Sequence, residues 1–96
     1  MIDVRQTDEF SAWLHGLRDA NAVARIVARI RRMEQGNPGD VRSVGEGVME
    51  MRIPYGPGYR IYYFHRGARI VILLCGGDKR RQQQDIHRAR MLAETL

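Results

Sequence analysis

The hydrophobic period of this chain switches from helical to strand-like in mid-chain, and that switch constrains the fold more than any other feature. Up to Glu34 the apolar residues recur at helical spacing: Phe10, Trp13, Leu14 and Leu17, then Val23, Ile26, Val27, Ile30 and Met33. From Val41 onward the period is two, the signature of strands with one buried face. The two regimes are divided by GNPGD at residues 36–40, where Gly, Asn and Pro each supply turn geometry. Helices and strands in separate runs imply an α+β domain, not an alternating parallel one.

The pattern gives a definite element order. Ile2 and Val4 alternate with polar neighbours and predict a short first strand. Thr7 is placed to cap a helix, with Asp8 and Glu9 complementing the positive end of its dipole. Gly16 weakens that helix, residues 18–21 read as a turn, and a second helix is expected over 22–34. Strands are expected at 41–44, 48–53, 59–64 and 69–74, joined by turns at 45–47, 54–58 and 66–68. Short links of this kind build an antiparallel meander of three or four strands. The segment 70–75 is almost wholly apolar and should be a central strand buried on both faces. A short last helix is expected over 82–94, and all helices are expected to pack on one sheet face. At 96 residues the chain is expected to be a single domain, 1–96.

Charge narrows the partners. Sixteen basic residues against eleven acidic leave a net charge of +5, which suits an anionic partner: nucleic acid, a membrane surface or an acidic protein. Lys79 is the only lysine. Cys75 is the only cysteine, so it has neither a disulfide mate nor a zinc-like companion. The N-terminus has no apolar core of a signal peptide, and the run at 70–75 is far too short to span a bilayer, so a cytoplasmic location without membrane association is expected. No phosphate-binding GxxxxGK[ST], zinc-binding HExxH or GxSxG nucleophile elbow is present.

The residues that could carry chemistry lie between Met49 and His87. On the strand at 59–64, Tyr59, Ile61 and Tyr63 face one way, and Arg60, Tyr62 and Phe64 the other. A mid-strand arginine needs a partner or an open groove. Glu50 and Arg52 share a face of the preceding strand, so Arg60 either pairs with Glu50 or binds a phosphate; both readings stay open. Tyr55, Tyr59 and Tyr62 place rings near these arginines, which suits stacking on unpaired RNA bases. Lys79, Arg80 and Arg81 follow the Gly76–Gly77 pair, and His87 lies on the first turns of the last helix. Arg25, Arg29 and Arg32 form a further row on the second helix, either a solvated face or a binding surface.

Three signatures at fixed spacing then point to a family. EMR at residues 50–52, GPGYR at 56–60 and CGGDK at 75–79 closely resemble the phage-derived Gp49-like and HigB-like addiction-module killer proteins of the RelE/ParE toxin superfamily. The resemblance covers the second half residue for residue, and the first half through element order and the stretches FSAWLHGLRD and ARIVARIRRMEQGN. It implies a RelE-like fold and cleavage of mRNA in the ribosomal A site. The implied chemistry is attack of the ribose 2′-hydroxyl on the adjacent phosphate, with no metal and no cofactor. By motif position, Arg60 would stabilise transition-state charge and Arg52 would grip the phosphate. Lys79 would act as an acid or second clamp. Glu50 stands where the best-known members have a lysine; it could serve as base or merely hold Arg52. Tyr55, Tyr59, Tyr62, Arg80, Arg81 and His87 complete the expected RNA-binding set. The resemblance also implies a dedicated helix-turn-helix antitoxin, HigA-like, as partner. A ParE-like gyrase poison on the same fold and a non-catalytic basic binding module are the two alternatives.

Overall fold

The computed structural model describes residues 1–96. Thr7 starts the first helix as its sequence position suggests: its Oγ1 accepts from the Phe10 N–H at 3.0 Å and donates to the Leu74 carbonyl at 2.7 Å. The full order is β1 (Asp3–Gln6), α1 (Asp8–Gly16), α2 (Ala20–Glu34), β2 (Val41–Ser43), β3 (Met49–Ile53), β4 (Tyr59–Arg66) and β5 (Ile70–Asp78). A short 3-10 turn (Lys79–Arg81) then leads into α3 (Gln82–Glu94). α2 begins two residues earlier than its apolar stripe suggests because Asp19 caps it, accepting from the Asn21 and Ala22 N–H groups.

Strands β2 to β5 form the expected antiparallel meander, and β1 adds in parallel beside β5. The sheet is therefore mixed, in the order β1-β5-β4-β3-β2. β5 is flanked on both sides, and Val71, Ile72, Leu73, Leu74 and Cys75 are all buried. An irregularity between Tyr62 and Tyr63 of β4 leaves Leu74 as the extra residue opposite them.

One expectation is corrected. α1 and α2 do share a sheet face, where Phe10, Ile26 and Met33 pack with Met51, Ile61, Tyr63, Val71 and Leu73. α3 lies on the opposite face, with Ile86 and Ala89 against Val48, Tyr62, Ile72, Leu74 and Cys75. The reason is in β5: a strand that is apolar on both faces needs both covered. The structure is an α+β domain with a sheet between two helical layers.

The Gly76–Gly77 pair also behaves differently from a simple sheet breaker. β5 continues through both residues to Asp78, pairing with Ile61, Arg60 and Tyr59 of β4. Both glycines are needed for close approach. A Cβ on Gly76 would overlap the Trp13 ring of α1, and a Cβ on Gly77 would overlap the Asp85 carboxylate of α3.

Candidate functional site

The site is organised around one buried carboxylate. Glu50, on β3, is the only charged residue among those fully covered. Its Oε1 accepts from Arg42 Nε at 2.8 Å, and its Oε2 accepts from Tyr62 Oη and Gln82 Nε2, each at 3.0 Å. It therefore ties β2, β4 and the first residue of α3 to β3. Burial pushes its pKa up, but the hydrogen bonds from Arg42, Gln82 and Tyr62 outweigh that and hold the carboxyl below its ordinary value. A carboxylate held in that state is a poor proton acceptor, which weighs against Glu50 as a base. Nor does Glu50 hold Arg52, whose Nη2 instead donates to Asp40 Oδ1 at 2.9 Å.

Arg60 lies 3.7 Å from Glu50 through its Nε, an ion pair too long to be a hydrogen bond. Its Nη1 donates to the Gly58 carbonyl at 3.0 Å, and its side chain is only 13% exposed. Arg52 and Arg60 are direct cross-strand partners in the β3–β4 ladder, so their side chains leave the same face as neighbours. Like charges so placed repel, and here Glu50 and Asp40 offset them from either side. Gly58 has a positive φ of 82°, and a Cβ there would sit 3.7 Å from the Cβ of Lys79, so the GPGYR turn and the opening of the 3-10 turn adjoin. Arg52 and Arg60 thus stand side by side at one end of the α3 face, and Lys79 adjoins them through its Cβ across Gly58.

The aromatic residues divide. Tyr62 is fully buried, its hydroxyl spent on Glu50 and its pKa raised by burial and by the Glu50 charge. Stacking on an RNA base is closed to it, which corrects the expectation for that residue. Tyr55 and Tyr59 pack toward the α1–α2 face instead. Tyr55 donates to Asp19 Oδ2 at 3.0 Å and carries the Arg25 guanidinium 4.5 Å above its ring. Tyr59 meets Trp13 edge-on at 6.2 Å between centroids. Arg80 and Arg81 are exposed beside it, Arg80 bridged to Asp78 at 2.9 Å. His87 is exposed on α3 and makes no hydrogen bond to the Glu50 group.

The sequence of residues 12–94 matches the family model described as phage-derived protein Gp49-like (DUF891). A protein of Haemophilus influenzae, itself described only as uncharacterized, is 46% identical over 95 residues, covering 99% of this chain and 96% of its own length. The chain belongs to the phage-derived Gp49-like family. That family falls within the RelE-like group of addiction-module killer proteins.

In this Gp49-like chain, several members of the site are not legible in sequence. Arg42 and Gln82 reach Glu50 from distant segments, and Trp13 reads as one more core residue of the α1 stripe. Asp85 is the other. Its Oδ2 is shielded from solvent with no donor, and burial is the first cause raising its pKa; Asp78 and Glu9 add to the rise, while Arg81 opposes it. No local signal marks it, because only the packing of α3 on β5 brings Asp85 onto Gly77. Cys75 is no nucleophile: burial, followed by the charges of Asp85 and Glu9, pushes its thiol up to about 12.

Proposed function

We propose that this chain is the toxin of a type II toxin–antitoxin pair and cleaves mRNA in the ribosomal A site, held in check by a helix-turn-helix, HigA-like antitoxin. Family membership supports the toxin reading. The observation that carries the chemistry is the facing pair Arg52 and Arg60, backed by Lys79 across Gly58. Two neighbouring guanidiniums, with a lysine adjoining them across Gly58, are suited to a phosphodiester whose charge grows during reaction.

In the proposed reaction the ribose 2′-oxygen attacks the adjacent phosphorus. The 2′-O–P bond forms as the P–O5′ bond breaks, giving a cyclic phosphate and a free 5′-hydroxyl. The 2′ proton passes to a base, and the departing 5′-oxygen takes up a proton. Arg60, fixed by Gly58 and Glu50, faces the phosphate with the remaining side of its fork; Arg52 grips a second oxygen and Lys79 serves the leaving side. Glu50 contributes by holding the frame on which the cations sit. Arg80 and Arg81 would track the RNA backbone, with Tyr59 available at the rim.

Pulse labelling after induction should show protein synthesis falling before DNA synthesis. Primer extension should find breaks in mRNA only when ribosomes are present. Gyrase-linked DNA breaks with intact mRNA would replace this reading with the gyrase one.

A further inference from the structure

A pocket of about 260 Å³ opens on the α1–α2 face, at the end of the sheet away from Arg52 and Arg60. Its walls are apolar: Ile2 just before β1, Met33 near the end of α2, Pro38 in the loop that follows, and Val71 on β5. Tyr63 and His65 of β4 complete it, their rings meeting edge-on at 5.9 Å between centroids. Tyr62, the residue before, is equally buried and donates its hydroxyl to Glu50. Tyr63 is only 2% exposed, yet its hydroxyl has no hydrogen-bond partner and is not sealed from solvent. Burial raises the pKa of this phenol, with the Arg29 charge opposing the rise, so it remains an O–H that can donate.

We infer that this pocket anchors one tyrosine side chain of the antitoxin, flanked there by acidic residues; the inference rests on the toxin–antitoxin reading above. Size sets the ring. A cavity of roughly 150 Å³ already holds one benzene, and sites for drug-sized ligands begin at roughly 300 Å³. At about 260 Å³ the pocket suits a single aromatic side chain, and tyrosine is among the residues enriched as buried interface anchors. Tyr63 sets the tip. A desolvated donor without an acceptor favours an occupant that brings one, and a phenol oxygen at the end of the ring does so where phenylalanine does not. Charge sets the flanks. An adjoining dent shares Ile2 and Gly36, and although Glu34 borders it, so does Arg69, which is exposed and in no ion pair. With a net charge of +5 on the whole chain, acidic neighbours complement this rim. A second copy of the chain cannot supply the anchor, because none of its four tyrosines is exposed.

The pocket can be probed with p-cresol, the tyrosine side chain on its own, titrated into the ¹⁵N-labelled full chain. It should shift the amide signals of Gly36, His65 and Val71. Tyr63→Phe should weaken p-cresol about fivefold, the scale of one hydrogen bond, leave toluene binding unchanged and melt no lower than the parent. The partner is then the product of the neighbouring gene. Ile2→Trp, which fills the pocket with a ring of this chain's own, should bind that product about thirtyfold more weakly or worse, as for a lost hot spot. Tyr63→Phe should bind it about fivefold more weakly, and decides the matter if Ile2→Trp melts low. Ribosome-dependent cleavage by the free chain should be unchanged in both variants, since neither residue lies at the cationic end. Folded variants that bind the neighbouring product like the parent overturn the anchor and leave the toxin–antitoxin reading standing. Silence of the three amides toward p-cresol overturns it too. A parent that binds no such product removes the toxin–antitoxin reading, and the anchor with it. Weakened binding in both variants, with no cleavage by any sample, upholds the anchor and removes the nuclease.

Discussion

Two carboxyls of this chain, Glu50 fully buried and Asp85 partly so, are shifted in opposite directions, and pH separates them. Glu50 is held below the ordinary 4.5 by its donors, so it adds stability above that pH and loses it as pH falls further and the carboxyl protonates. Asp85 is raised above the ordinary 3.8, so it costs stability once pH climbs through its folded pKa. Asp85→Asn should therefore melt higher than the parent at pH 7, with the difference vanishing below about pH 3.8. Glu50→Ala should cost about 3 kcal/mol, because Arg42, Tyr62 and Gln82 lose their common acceptor, lowering the melting temperature by roughly 15 °C. Paired thermal melts across pH 3 to 8 check both; a Glu50 variant that melts like the parent would remove the frame from under Arg60. The sequence showed Glu50 as a candidate and Asp85 not at all. Nothing local distinguishes an acidic residue on an exposed helix turn from one resting on a distant glycine.

At the scale of elements, the strands were the most legible part, because period-two alternation and Gly-rich turns mark them locally. β4 and its two faces follow directly from alternation, and the structure keeps that assignment from Tyr59 to Phe64. The end of β5 was not legible. A Gly-Gly pair reads as a break, and only the approach of Trp13 and Asp85 from the two faces shows why the strand goes on. The row Arg25, Arg29, Arg32 shows the same limit. Arg29 turns inward to the carbonyls of Arg52 and Pro38 at 2.7 and 3.0 Å, locking α2 to β3 and to the loop before β2, while Arg25 covers Tyr55. Helical spacing gives a face but not what lies opposite it. Gly77→Ala tests the close approach: it should destabilise by roughly 1–3 kcal/mol through overlap with the Asp85 carboxylate. Combining it with Asp85→Ala should return most of that loss, a coupling that additive effects would not produce. A fully additive double variant would show that the strand, and not the contact, demands glycine there.

For the whole molecule, the fold class, the element order and the family signatures were readable because each is carried by contiguous residues. The site was readable only in part. Arg52, Arg60 and Lys79 lie inside the signatures, but Asp40, which pairs with Arg52, is 12 residues away, and Gln82, which helps to hold Glu50 beside Arg60, is 32 residues from Glu50; strand register and the face that α3 covers bring them in. The net charge of +5 belongs to this scale too. An antitoxin that masks the cationic end should present opposed potential, which speeds and orients association. Co-expression with the gene beside this one should restore growth and yield a copurifying complex; growth arrest without any such partner would count against a toxin–antitoxin pair.

In the proposed reaction everything turns on Arg60 stabilising charge on the scissile phosphate. Its side chain is mostly covered, yet Glu50 keeps three other donors, so Arg60→Ala leaves no carboxylate stranded and should melt close to the parent. Ribosome-dependent mRNA cleavage and thermal melting, measured on the same Arg60→Ala and Arg60→Lys samples, test this most directly. Cleavage should fall by about 10²-fold or more in Arg60→Ala and recover only in part in Arg60→Lys, with melting little changed. A large drop in melting temperature with undiminished activity of the folded fraction would show that Arg60 only props up the sheet, and would contradict the account.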